Sequence, residues 1–382
     1  MDFSLTEEQV AIADMAKGIF NDCCTDEYLR EFDGLTSIEA NAAPAPHMQA
    51  LWQTCVETGL HGLYIPESVG GSGLGMTELM LVLQAQGAAL GQVPLWRHQL
   101  AAACLTQFGD DSLMPIILAA AEAAELLTLN LPVMSADTCD VEATQTSDGY
   151  ILSGRLAAVA SAASARYALV PARLSSQTRL VLVDLNSAGI EAINGVLTQG
   201  EQVTDLHFDN CVVTAECLLA EPAFSWLEPR AIAAQAALQL GVSEEQIGRT
   251  VDYITERRQF DRQIASFQAV QMTMADCRIA LETLRSNLWQ LCYRLDAGLG
   301  AESEALATAW QACEAGHLIG HKCLHVHGGF GVDVSYPIHR FLYWSRALGL
   351  GLGGSRAIAE RLGDWLTAND KLGWKYDLDE NQ

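Results

Sequence analysis

The stretch HVHGGFGVDVSYPIHRFLYWSRALGLGLGGSR, residues 325–356, holds two glycine clusters. The first, His327-Gly328-Gly329-Phe330-Gly331, lies between a helical pattern and a break at Tyr336-Pro337. The second is Gly349-Leu350-Gly351-Leu352-Gly353-Gly354. Glycine has no Cβ, so a ligand or a second backbone can approach it closely. Its amides can cradle a phosphate when a helix start or a nest presents them. The plainer alternative is a pair of tight turns at helix ends.

Around this stretch the pattern is helical from residue 223 to the end. Amphipathic runs cover 230–259, 266–296, 302–328 and 336–369. In the second, Val270, Met274, Cys277, Leu281, Leu284, Leu288 and Leu291 recur every three or four residues, as one buried helix face requires. Four such helices predict an antiparallel bundle. Their wide apolar faces also suit packing between subunits.

Residues 122–222 have a different texture. Leu126–Leu131, Tyr150–Leu152, Tyr167–Val170, Arg179–Val183 and Val203–Val213 are short β-rich runs separated by turn residues, which predicts a small β-barrel or sandwich. No dinucleotide-binding fingerprint accompanies them. Residues 1–121 read as helices again. Thr6 and Gln9 form a capping box ahead of Val10, Ala13, Ala16, Ile19 and Phe20. Residues 32–46 read as a connector, and Pro66–Gly73 as a glycine-rich loop between helices. That loop lacks the Lys-Ser/Thr of a P-loop and follows no strand. The expected class is therefore α+β, mainly α: a helical domain (1–121), a small β domain (122–222) and a C-terminal four-helix bundle (223–382) ending in a solvated acidic tail, DLDENQ.

Composition narrows the function. Hydrophobic residues make up 50% of the 382 and charged residues 18%, as in a compact globular protein. A net charge of −25 opposes binding to nucleic acid or to an anionic membrane surface. An anionic small ligand then needs a local basic group, and Arg257, Arg258 and Arg262 are the densest one. The 11 cysteines include no C-x-x-C pair, so buried reduced thiols are expected rather than disulfides or zinc. The acidic opening MDFSLTEEQ has no basic n-region, and no apolar run reaches the roughly 20 residues of a membrane span. The expectation is a soluble, cytoplasmic protein.

The order of helical domain, β domain and helical bundle resembles the acyl-CoA dehydrogenase family, and local motifs agree along most of the chain. FSLTEEQ is similar to that family's first helix, GLHGLYIPESVGGSGLGMTEL to its glycine-rich connector, ERRQFDRQIASFQAVQ (256–271) to its bundle motif, and HVHGGFGVDVSYPIHRFL to its flavin-contacting turn. The resemblance implies FAD at a subunit interface, with part of each site supplied by a neighbour. By position, Arg257 pairs with the pyrophosphate, Phe260 packs on the cofactor and Gln268 hydrogen-bonds to it. Gly328 and Gly329 approach the adenosine-diphosphate half beside His325, which stands in place of the family's usual glutamine.

The positions that would serve this chain's own flavin depart from the family. Thr128-Leu129-Asn130-Leu131 and Ala158-Val159-Ala160 replace a hydroxyl-rich strand and a Trp-Ile-Thr segment. Leu352 occupies the position of the catalytic glutamate, the base that takes the proton α to the thioester. Ala231 stands at the family's alternative base position and Ile232 at its substrate-side arginine. Glu228 is the nearby carboxylate and Arg230 the nearby guanidinium. The pattern implies a base-lacking subunit of a heteromeric enzyme. It resembles α2β2 dehydrogenases of steroid side-chain CoA thioesters, with a homologous partner carrying the glutamate and an electron-transfer flavoprotein as acceptor. Two alternatives stay open: a self-sufficient flavoenzyme, either a dehydrogenase using Glu228 or an oxidase or monooxygenase, and a non-catalytic homologue without flavin.

Overall fold

A computed structural model describes residues 4–30, 46–131 and 139–369. The expected connector, apart from Pro46, and the acidic tail lie outside the described residues. Helices α1 (Glu7–Cys23), α2 (Asp26–Arg30), α3 (Pro46–Glu57), α4 (Met76–Ala88), α5 (Leu95–Phe108) and α6 (Met114–Ala121) come first. Strands β1 (Leu127–Leu129), β2 (Val141–Gln145), β3 (Gly149–Ala160), β4 (Tyr167–Leu174), β5 (Gln177–Asp184), β6 (Ile190–Val196) and β7 (Gln202–Thr214) follow. Then come α7 (Ala223–Glu256), a hairpin of β8 (Arg258–Gln259) and β9 (Arg262–Gln263), α8 (Gln268–Asp296), α9 (Glu302–His327), α10 (His339–Gly351) and α11 (Ser355–Ala368). The capping box forms as expected: the Thr6 amide donates to Gln9 Oε1 at 3.0 Å and the Gln9 amide to Thr6 Oγ1 at 3.2 Å.

The chain divides into two compact units. One comprises the described parts of Ile12–Val82 and Gly91–Ala231. Its sheet runs β1-β4-β2-β3-β7-β6, with β5 also on β4. The long antiparallel pair β3/β7 is its spine, paired from Gly149↔Thr214 to Ala160↔Val203 with register shifts between Leu152 and Gly154 and between Leu156 and Val159, and β1 and β2 both run parallel to β4. Val141, Leu152, Val170, Val181, Leu206 and Phe208 form the core beneath it. Strands β2 and β6 were not expected from sequence. VEATQ alternates buried and exposed positions with a single β-branched apolar residue, and IEAINGV has no fully buried residue, so neither carries a strong apolar run.

In this unit His98 ties α5 to α6 and β1. Its Nε2–H donates to the Ala120 carbonyl at 3.0 Å, and its Nδ1 accepts from the Leu127 amide at 3.2 Å. That pattern fixes the neutral tautomer, because a proton on Nδ1 would face a second donor. Burial pushes the imidazole down to about 4, outweighing the upward pull of the Ala120 carbonyl.

The other unit comprises the described parts of Met1–Ala11, Leu83–Leu90 and Ile232–Gln382. The end of α4 crosses the middle of α7 backbone to backbone. A Cβ on Gly241 would lie 2.0 Å from the Gln84 carbonyl oxygen, and one on Gly87 would lie 2.2 Å from that of Leu238. Glycine at both positions is what lets the two helices meet this closely. Gln84 Nε2 then donates to Glu244 across the contact, at 2.6 Å. Further along, α7 buries a polar stripe of Gln239, Ser243, Gln246 and Thr250 against α9 and α10. Gln239 Nε2 donates to Ser243 at 2.9 Å and to Ser345 at 3.0 Å, and Gln246 Nε2 to the Gly320 carbonyl at 3.3 Å. Gly316 leaves the space that the Gln239 amide fills. The run expected as one helix over 336–369 is two. Gly353 (φ 93°) and Gly354 (φ 81°) end α10, since L side chains rarely adopt such angles.

Two outcomes follow from these contacts. Gly241→Ala forces a methyl into the Gln84 carbonyl and should cost about 3 kcal/mol in chemical denaturation, the upper range for overpacking. Acidification should destabilise the chain through His98. Its folded value lies below its unfolded one, so its contribution is complete above pH 6.5 and is lost as pH falls toward 4. At 1.36 kcal/mol per unit this amounts to about 3 kcal/mol. Urea melts between those two pH values should show the loss, and His98→Gln should flatten it.

Candidate functional site

Charged, aromatic and glycine residues gather where α7 ends. Arg257 continues the helical pattern by one residue, its amide donating to the Tyr253 carbonyl at 2.9 Å. It therefore stands one turn above Tyr253, and both line a cavity of about 510 Å³ shared with His327, Gly329, Phe330 and Asp333. The guanidinium carbon sits 5.7 Å from the Phe330 ring centre. Among the described residues, no carboxylate pairs with Arg257. A planar guanidinium without a partner, beside exposed glycine backbone and an aromatic ring, suits a phosphate ester carrying a flat group.

His327 holds the wall of this cavity. Its Nδ1–H donates to the Cys323 carbonyl at 2.8 Å, and its ring stacks on Tyr253 with centres 4.3 Å apart. Burial lowers its pKa, with the Cys323 hydrogen bond acting in the opposite direction. His327 thus serves as a neutral packing element. Gly328 caps α9 in a conformation reserved for glycine (φ 59°), and a Cβ on Gly328 or Gly329 would meet nothing within 4 Å. His325 is exposed on the last turn of α9, outside the cavity lining.

The β8/β9 hairpin carries Phe260 and Asp261 at its tip, both at positive φ (53° and 62°). Two consecutive residues of this kind make the tight turn that normally selects Asn-Gly. Phenylalanine there is strained, and it is 86% exposed. Its ring meets Phe267 edge-on at 6.2 Å, and Arg262 covers the Phe267 ring at 3.8 Å. Gln268 follows as the exposed first residue of α8. Of the six positions expected from sequence, the cavity gathers Arg257 and Gly329. Phe260, Gln268, His325 and Gly328 lie outside its lining. Tyr253 and Asp333 were not expected there, and His327 and Phe330 only as members of the first glycine cluster. The four-residue spacing of Tyr253 and Arg257 was the available signal for the first of them.

The other glycine-rich segments are structural. At the end of α10 the Gly354 amide donates to the Gly349 carbonyl at 2.9 Å and the Gly353 amide to that of Leu350 at 2.9 Å, the paired bonds of a Schellman motif. In the loop after Pro66, the amides of Gly70, Gly71, Ser72, Gly73 and Leu74 all donate to nearby carbonyls, and that of Gly75 to Glu78. None is left for a phosphate.

The positions where a base is expected are apolar. Leu352 is fully buried, and Ala231 and Ile232 are each 1% exposed. Glu228 is half-buried within the second turn of α7. Arg230 is committed to packing: it donates to the Tyr64 hydroxyl and the Trp226 carbonyl, both at 2.7 Å, and lies 4.0 Å above the Trp226 ring. The strand segments that depart from the family pattern are closed on themselves. Thr128 Oγ1 donates to the Ala160 carbonyl at 2.7 Å, and Asn130 Nδ2 to that of Ala157 at 2.7 Å. Asp205 accepts from the Ala158 amide at 2.8 Å and pairs with Arg155. Ala158, at φ 53°, sits in a β-bulge between Leu156 and Val159.

The family model for the acyl-CoA dehydrogenase C-terminal domain matches residues 231–366, and that for the N-terminal domain matches residues 6–119. Acyl-CoA dehydrogenase FadE27 of Mycobacterium tuberculosis is 33% identical over 375 residues, covering 95% of this chain and 98% of its own. Among solved structures, the ChsE4–ChsE5 complex from Mycobacterium tuberculosis superposes with a TM-score of 0.89 at 31% identity, covering 97% of this chain and 100% of that one. A variant of the Tcur3481–Tcur3483 steroid ACAD superposes with a TM-score of 0.86 at 32% identity, covering 95% and 98%. The chain belongs to the acyl-CoA dehydrogenase family, whose members are FAD-dependent oxidoreductases acting on a CH–CH bond. Among the described residues, no helix is long and apolar enough to cross a membrane.

The strained hairpin can be tested in the chain by itself. Phe260→Asn, which suits a positive φ, should raise its stability by about 1 kcal/mol in a thermal melt. A drop of that size instead would show that the Phe260–Phe267 contact stabilises the turn.

Proposed function

We propose that this chain is one subunit of a heteromeric FAD-dependent acyl-CoA dehydrogenase that desaturates an acyl-CoA thioester at its α and β carbons. It supplies contacts to FAD held chiefly by a homologous partner, and that partner carries the catalytic glutamate. Arg257 pairs with the pyrophosphate, Gly328 and Gly329 admit the adenosine-diphosphate half, and Phe260, Gln268 and His325 complete the contact from the hairpin and helix ends. When bound, FAD accepts the hydride from the substrate β carbon.

The observation that carries this reading is an asymmetry. The unpaired guanidinium of Arg257 and the exposed ring of Phe260 face outward. At the same time, the base position is a buried leucine and the hydroxyl and amide donors Thr128 and Asn130 are consumed internally. The outer face of α8 supports association. Met272, Ile279 and Tyr293 are spaced by multiples of seven, 61%, 67% and 39% exposed, and Ile279 lines a shallow groove with Arg278 and Thr283. Apolar residues in that register suit a facing helix from the homologous subunit. Two of the similar solved structures are the ChsE4–ChsE5 complex and the Tcur3481–Tcur3483 steroid ACAD. An α2β2 assembly, a steroid side-chain CoA thioester and an electron-transfer flavoprotein as acceptor are the corresponding readings here.

The test is expression with and without a neighbouring dehydrogenase-like chain. Alone, this chain should lack stoichiometric flavin that acyl-CoA bleaches. With its partner it should yield one FAD per heterodimer, and Arg257→Ala should lower that content by about tenfold or more, the scale of one charge-assisted contact. Glu228→Gln should leave turnover unchanged. Bleaching by the chain alone, abolished by Glu228→Gln, would establish a self-sufficient enzyme instead. Failure to bind flavin with any partner would mark a structural homologue.

A further inference from the structure

The cavity beside Arg257 contains an acidic residue that the pyrophosphate contact does not use. Asp333 lines it together with Arg257 and Gly329. An acidic side chain in a site for an anion works against phosphate binding, so its presence there calls for a different ligand group. The carboxylate is fixed rather than free to swing away. Oδ1 accepts from the Ser335 amide at 2.9 Å and from the Ser335 hydroxyl at 2.7 Å, and the Asp333 carbonyl accepts from the Tyr336 amide at 3.0 Å. Among the described residues, Oδ2 has no partner. The two Ser335 hydrogen bonds hold the carboxyl below its usual range, with the nearby His339 acting in the same direction, so at neutral pH it only accepts hydrogen bonds.

We propose that Asp333 reads the ribose of the adenosine half, accepting its hydroxyl protons and repelling a ribose that carries a phosphate. The inference rests on the reading of this cavity as the FAD contact. An enzyme of this family meets two adenine nucleotides, FAD and coenzyme A. Both have a 5′-pyrophosphate, which Arg257 cannot tell apart. They differ at the ribose: in FAD both hydroxyls are free, whereas in coenzyme A the 3′ position is phosphorylated. A fixed carboxylate discriminates between them in two ways. It gains hydrogen bonds from a free diol, and it opposes a second phosphate by like-charge repulsion. Asp333 thereby keeps the cofactor site from being occupied by the substrate's own nucleotide handle.

The probes are ADP and 3′-phospho-ADP, which differ by that one phosphate and carry neither flavin nor acyl group. Binding to the full chain is followed by ligand-observed NMR at millimolar nucleotide. The wild type should prefer ADP by about tenfold, a partly screened charge repulsion plus one charge-assisted hydrogen bond. Asp333→Asn should bring the two affinities to within about threefold, because the amide keeps the shape and removes the charge. The same variant should bind inorganic pyrophosphate more tightly than wild type does. A preference that survives Asp333→Asn, or a wild type that binds both nucleotides equally, overturns the proposal. Arg257→Ala separates this failure from failure of the cofactor reading, since it should weaken both nucleotides alike. If Arg257→Ala leaves ADP affinity unchanged, or if wild type binds no ADP either alone or assembled with its partner, the cavity is not the FAD contact and both readings fall. If Arg257→Ala weakens ADP but Asp333→Asn leaves the preference intact, only the role of Asp333 is lost.

Discussion

The close crossing of α4 and α7 at Gly87 and Gly241 is the constraint on which the helical unit depends. α7 is 34 residues long and carries Arg257 just past its C-terminal end. Its height and rotation are set where two backbones meet without intervening side chains. The buried polar stripe then fixes which residues of α9 and α10 face it, through Gln239 with Ser345 and Gln246 with Gly320. Buried amides need matched partners, so a slip of one turn would leave several unsatisfied at about 1–3 kcal/mol each. The crossing and the stripe together place Tyr253 and Arg257 against the turn that follows α9.

That placement produces an open cavity with charge of both signs, in which, among the described residues, Arg257 has no carboxylate partner and Asp333 keeps one carboxylate oxygen free. Elsewhere the polar groups near expected flavin positions are consumed locally, as with Thr128, Asn130 and Asp205. The contrast is in where hydrogen-bonding capacity is left over. Spare capacity at an exposed guanidinium costs little while water solvates it, and it is available to a ligand. An internal hydrogen bond such as that of Thr128 is not available without first being broken.

Much of the architecture was legible in the chain. The reciprocal Thr6–Gln9 cap and the apolar spacing of α8 are local signals, and local signals survive folding. Strands β2 and β6 were not legible, because VEATQ and IEAINGV owe their conformation to pairing with β3 and β7 rather than to their own residues. The glycine clusters looked alike in sequence. The resemblance already set them apart, and the hydrogen bonds add that Gly353 and Gly354 close a helix while Gly328 and Gly329 stay exposed. Arg257 was recognisable from its motif. Asp333 was not, because its relation to Arg257 depends on two helix ends 76 positions apart in the chain being brought together.

The burial of Leu352 has a consequence for how such a chain can change over generations. A glutamate placed at that position would be a fully buried acid, a change that costs several kcal/mol or leaves the group protonated unless a partner meets it. Gaining an acid there would therefore require neighbouring positions to change first, each without benefit until the last. A lineage that has packed a leucine there is held to its present form by the quality of its own interior.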